Sequence, residues 1–330
     1  MHRGWTEGPI TRISMLRAAR WIGVAVTLCL AGLVRADEPL HQSAFSYDTF
    51  SARLPVVREQ AYAVHARVRP LLLFWIGRDN IGDARITWRE APGGHRGFEL
   101  LIGSDPARTP RHINRWGFIV EDLSPDKADV FGLMKESNEQ TLEAAEAEIA
   151  THRDDSAFKA ARATIASGVA VGGTITVRAP AHLTSRDLNA LLAMIPAKPR
   201  SVRTVALPAG TQAGFLVAMD ALIQAASGPC GRPNGAGAKA VSGVPFVYAQ
   251  TLYDVSLVSC TFEPTFQTKS GVYPNVSDGR FQIRNRTTKV ETSFRVWFGT
   301  SAEWRGVPVQ AVFRPRWWME IELVASEASR

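Results

Sequence analysis

The chain has 330 residues, 45% of them hydrophobic and 21% charged, with a formal net charge of +7. That is globular composition, and it excludes a disordered, collagen-like or multi-pass membrane chain. Five arginines against Glu7 put +4 of the charge in the first 36 residues, which leaves +3 on the remainder and little motive for nucleic-acid binding.

Residues 1–36 read as a signal peptide: Arg17 and Arg20 precede the apolar run Trp21–Leu33, and Val34-Arg35-Ala36 offers a small-residue cleavage site. The mature chain is expected to begin near Asp37 and to be periplasmic or secreted. The run is shorter than the ~20 residues that span a bilayer, so the mature chain is expected to have no transmembrane segment. Cys29 lies inside the run behind Leu28, which does not fit lipid attachment.

Tyr62, Val64, Ala66 and Val68 alternate with His65, Arg67 and Arg69, the pattern of a half-buried strand. Leu71–Ile76 reads as a buried strand, with Gly77-Arg78-Asp79-Asn80 as its turn. Segments 84–89 and 98–102, joined by the loop around Pro92-Gly93-Gly94, read as a hairpin, and 116–121 and 128–134 as further strands. The character then changes. Ser137 with Gln140 forms a capping box ahead of Leu142, Ala145 and Ile149, and 156–166 reads as a second helix. A strand at 169–177, a helix opened by Thr184 and Asp187, a strand at 202–207 and a helix at 212–226 complete an α/β pattern. The last third returns to period two over 246–262, 281–286, 290–298, 307–313 and 317–324.

The expected fold is therefore α+β, two mainly antiparallel β portions flanking a helical α/β middle. Its parts are 37–127, 128–229 and 230–330.

Beyond the leader the only cysteines are Cys230 and Cys260, and an even number in an exported chain points to one disulfide rather than a metal site or nucleophile. The histidines are scattered without metal spacing, and no phosphate loop, dinucleotide fingerprint or Gly-x-Ser-x-Gly elbow occurs, so no metal or cofactor is expected. Ser156-Ala157-Phe158-Lys159 with Lys269-Ser270-Gly271 echoes the serine-lysine pattern of penicillin-recognising enzymes, but the Ser-x-Asn element is missing between them. From Arg280 to Arg316 eight basic residues face only Glu291 and Glu303. Arg284, Arg286 and Arg295 are the candidates for an anionic ligand, with Trp318 as an outward aromatic contact.

Three segments, Trp75–Arg85, Glu99–Pro106 and Ile113–Gly117, together with the ending Pro315-Arg316-Trp317-Trp318, resemble exported bacterial proteins of uncharacterised function. The resemblance implies an envelope setting and offers no catalytic residues.

The expected function is a non-catalytic exported protein that binds an envelope protein, a lipid, an anionic glycan or an apolar ligand. The alternative is a periplasmic hydrolase or transferase built on the polar 78–116 segment, with Asp79 or Asp83 as base and His95 or His112 as acid.

Overall fold

The computed structural model describes residues 45–68, 75–109, 112–135, 155–196, 201–231, 241–248, 250–301, 304–316 and 319–326. The helix expected after Ser137, most of the expected 71–76 strand and the expected leader lie outside them.

Among the described residues, fourteen strands join in one antiparallel sheet. The first eight are β1 Val56–Val68, β2 Ile76–Ala91, β3 His95–Ser104, β4 Trp116–Leu123, β5 Lys127–Lys135, β6 Asp155–Ala166, β7 Val169–Pro180 and β8 Arg203–Ala206. The other six are β9 Val241–Tyr248, β10 Thr251–Gln267, β11 Val272–Asn285, β12 Glu291–Gly299, β13 Pro308–Arg316 and β14 Met319–Ala325. Their order is β8-β7-β6-β5-β4-β3-β2-β1-β14-β13-β12-β11-β10-β9. The sheet is thus two successive meanders, with a seam where β1 pairs with β14, Tyr62 opposite Ala325. Helix α1 spans Tyr47–Arg53, a 3₁₀ turn at Ser185–Asp187 leads into α2 at Leu188–Met194, and α3 spans Phe215–Ser227.

This corrects the α+β expectation. The 128–229 part supplies β5 to β8, and 156–166 is strand β6 rather than a helix. Its alanines carry high helix propensity, but here their small size is what packing uses. Ala160 packs beneath α2 and Ala161 packs with α3, so one strand lies between two helices. The expected turn at Gly77–Asn80 is instead an irregularity within β2: pairing jumps from Val64↔Gly82 to Ala66↔Arg78, and Asn80 takes a positive φ of 54°.

Helix α3 is buried on most of its circumference, through Leu216, Val217, Met219, Leu222, Ile223 and Ala226. One side packs with Phe98 and Val130 of the first meander, the other with Phe246, Val255, Phe281 and Phe298 of the second. The sheet therefore curls around it. Opposite the helix, α1 and α2 cover β4 to β7 through Phe50, Leu54, Leu188 and Leu191, against Trp116, Phe118, Phe131 and Phe158.

Both ends of α3 are fixed. At its start the fully buried Glu121 carboxylate accepts the Leu216 N–H at 2.7 Å and the Val217 N–H at 2.8 Å. Gly214 makes room for this, since a Cβ there would sit 2.3 Å from the carboxyl group. At its end Cys230 is disulfide-bonded to Cys260 of β10, with Cα atoms 5.9 Å apart, and the Ser277 hydroxyl donates to the Cys230 carbonyl at 2.8 Å.

Burial pushes the Glu121 carboxyl up to about 7, against the lowering effect of the backbone N–H groups at the helix start. A carboxyl raised in the folded state binds its proton more tightly than in the unfolded chain. Unfolding free energy should accordingly fall by about 3 kcal/mol as pH rises from about 4.5 to about 7, and Glu121→Gln should remove that part of the slope; urea titrations across this window measure it. The disulfide closes a separation of 30 residues. Cys230→Ser with Cys260→Ser should lower stability by about 3.5 kcal/mol, read from the shift in urea midpoint, while the parent alkylates at neither position without reductant.

Candidate functional site

A cleft of about 70 Å³ opens beside the middle of β2 and the end of β3, lined by Asp83, Ser104, Asp105, Pro106, Thr184, Ser185 and Arg186. Local rules build it. Asp105, ahead of a proline, accepts the Ala107 N–H on its side chain at 2.9 Å and the Arg108 and Thr109 N–H groups on its carbonyl. Thr184 and Asp187 form a capping box that starts the 3₁₀ turn opposite. Asn114 clamps the two sides together, its amide donating to the Ala181 and Leu183 carbonyls at 3.1 and 2.9 Å.

Arg108 is the hub. Its Nε donates to Asp105 at 2.9 Å and one Nη to Asn80 at 2.6 Å, while the other Nη pairs with Asp83. The backbone N–H of Ala107, followed by Arg108 and Arg186, holds the Asp105 carboxyl below the usual range. Arg186 reaches Asp105 at 4.0 Å and is largely exposed, as is Asp83. Two hydroxyls at the cleft are already committed. Ser104 donates to the Ile113 carbonyl at 2.8 Å while accepting the Arg115 N–H, and Thr184 donates to Asp187. Positioned charge surrounds a small polar hollow, and no serine–histidine pair is assembled there among the described residues.

The four residues of the hydrolase alternative are distributed unevenly. Asp83 lies in the cleft, and His112 is at its margin, with Nδ1 3.1 Å from the Pro106 carbonyl. Asp79 turns to a different cluster, pairing with Lys269 and lying 3.0 Å from Nδ1 of the buried His65. Lys269 and, more weakly, His65 hold the Asp79 carboxyl below its ordinary range. His95 opens β3 opposite Ala91, whereas Asp83 pairs with Gly103, so about 27 Å of strand separates them.

The arginine candidates each have a carboxylate. Arg286 grips Asp254 through Nε and Nη2, Arg295 pairs with Asp278 and stacks on Trp297 at 4.3 Å, and Arg284 lies 3.7 Å from Glu291. Trp318 lies outside the described residues. Glu320 and Glu322 form a buried face: Arg314 and Arg67 meet Glu320 at 2.7 and 3.8 Å, and Gln310 meets Glu322 at 2.6 Å. Above that face the β10–β11 hairpin lays Phe266 on Trp297 and brings Lys269 to 3.8 Å from Glu322.

Sequence reading did not reach Asp105, Arg108, Arg186, His65 or Glu121 as site residues. Asp105-Pro106 was a readable turn signal. Glu121 carried none, because its partners are 95 and 96 residues away.

No family model matches the chain. No curated protein matches it either. Among solved structures it is similar to a beta-barrel-like protein of a domain of unknown function, DUF1849, from Brucella abortus. The identity is 10%, the match covers 81% of this chain and 94% of that one, and the TM-score is 0.37.

Arg108→Ala should release the 105–109 loop and cost about 1–3 kcal/mol, through loss of bonds to two charged groups. Amide exchange at Ala107 and Thr109 should quicken, while the amides of α3 keep their protection.

Proposed function

We propose that the protein is an exported, non-catalytic binding protein of the bacterial envelope that meets its partner at its outer surface instead of carrying a ligand inside. The observation that carries this reading is α3. The concave side of the sheet, where a curled sheet could house an apolar ligand, holds a helix tied down by Glu121 and by the Cys230–Cys260 bridge. What is offered outward is polar and preorganised, the Arg108-centred cleft with Asp83 and Arg186 at its mouth.

The leader-like residues 1–36 support export, and the resemblance of 75–117 to exported bacterial proteins supports an envelope setting. The hydrolase alternative draws less support, because His95 is remote from Asp83 and the Ser104 hydroxyl is engaged on both sides.

The test is mass spectrometry of protein recovered from the export compartment of an expressing bacterium. Native and denaturing spectra should agree on a bare chain with its disulfide closed and a mass that begins near Asp37. A stoichiometric extra mass present only under native conditions would overturn the outer-surface reading.

A further inference from the structure

Two groups compete for one atom of the buried His65. Its Nδ1 lies 3.0 Å from Asp79 Oδ1 and 3.2 Å from the Asn80 backbone nitrogen, whose N–H is directed at it. A ring nitrogen offers either a proton or a lone pair, never both. With Nδ1 bare, the imidazole accepts the Asn80 N–H. With a proton on Nδ1, the ring donates to Asp79 and the Asn80 N–H loses its acceptor.

The irregularity in β2 produces this meeting. Pairing with β1 runs from Val64↔Gly82 to Ala66↔Arg78, so Asp79, Asn80 and Ile81 stand without register partners opposite His65. Asn80 sits there in the left-handed region, φ 54°, a conformation that depends on the bonds holding it. Those bonds continue to the cleft. The Asn80 side-chain oxygen accepts from Arg108 at 2.6 Å, and the Ile81 carbonyl accepts the Asp105 N–H at 2.8 Å. Asp105 lines the cleft and Arg108 braces it.

Among the described residues, the charges around His65 come from each neighbouring element. Glu322 of β14 stands directly across from it, Arg67 lies two residues on along β1, Asp79 comes from β2 and Lys269 from the β10–β11 hairpin. Arg67 and Lys269 lie 3.6 and 3.8 Å from Glu322, and Glu320, further along that face, is met by Arg67 and by Arg314 of β13. Three carboxylates are thus matched by three cations while the imidazole is neutral. Lys269 also pairs with the Asp79 oxygen that faces His65, so that oxygen has a donor whether or not the ring supplies one. Lys269, and after it His65, hold the Asp79 carboxyl below its ordinary range, which keeps an anionic acceptor beside Nδ1 where imidazoles change charge.

We propose that His65 is a proton switch for the Arg108 cleft: the neutral ring, acting through Asn80, keeps the cleft ordered, and the protonated ring lets it loosen. The proposal rests on the outer-surface reading, in which this cleft meets the partner, and names its regulation: acid should weaken that contact.

Histidine-selective nitrogen-15 NMR and amide exchange on the exported protein follow both ends of the switch from about pH 8 to about pH 5. At the upper end Nδ1 of His65 should show the shift of an unprotonated acceptor. As it gains its proton, protection factors at Asn80 and Asp105, which divide out the intrinsic pH dependence of exchange, should fall about three- to tenfold, the worth of one hydrogen bond. His65→Gln, whose side-chain oxygen accepts without titrating, should keep both amides protected throughout. If that buried change does not fold, Asp79→Asn, at an exposed position, should move the loss to lower pH, because the protonated ring then lacks its carboxylate. Glu121→Gln, His112→Gln and His182→Gln should leave the loss in place, which separates His65 from the buried carboxyl and from the two histidines nearer the cleft. A proton on Nδ1 already at about pH 8, protection that does not follow the His65 titration, loss that survives in His65→Gln, or an unmoved midpoint in Asp79→Asn would each overturn the switch. These readouts need no partner, so the switch can fail while the outer-surface reading stands. A carried ligand found by native mass would overturn that reading and leave the exchange result intact.

Discussion

A fully buried carboxylate at the start of α3 is the interaction on which the architecture turns. A long antiparallel sheet that curls on itself must fill its concave side, and this chain does so with one helix of mixed surroundings. The first turn of any helix has N–H groups without intrahelical partners, and inside a core they cannot turn to water. Glu121 satisfies two of them from β4, a strand of the first meander, while the disulfide holds the other end to β10 of the second. The helix is therefore both the filling and the tie between the halves. The carboxylate is itself desolvated there, so its burial opposes the ionisation that the helix N–H groups favour.

With the inside filled, the polar side chains are arranged outside, and they are layered. Arg89 and Glu99, both buried, join Tyr47 and the Leu54 carbonyl to hold α1 on the sheet. Around the seam a second charged layer, Arg67, Arg314, Gln310 and Lys269 around Glu320 and Glu322, lies beneath the β10–β11 hairpin. These side chains are occupied with one another. The polar cleft near Asp83 stands apart from both layers, with the exposed Arg186 at its mouth.

Much of the β content was legible because alternation is a local signal. The hairpin of β2 and β3, strands β4, β5 and β7 and the helix after Gln212 all stand near where period and capping place them. Strand β6 was not, since its alanines are helix formers in isolation and become strand only between two helices. The curl and the β1–β14 seam left no trace, because pairing between distant strands has no period to read. At the candidate site, single residues such as Asp83 stood out by type, but their company did not. Asn80, Asp83, Asp105 and Arg108 meet through a strand irregularity and a turn, and Thr184 to Arg186 arrive from the far end of β7.

The seam also dictates an order of assembly. Strands β1 to β8 can meander outward as they are made, but β1 keeps a bare edge until β14, the last strand, arrives to pair with it. Helix α3, placed between the two meanders in sequence, packs against strands of both. The pairing of β14 with β1 cannot form until the residues through Ala325 have been made, so this sheet is completed only after every strand between them exists. Until β14 pairs, the edges of β1 and β13 both stay open, and open edges are where misassociation begins.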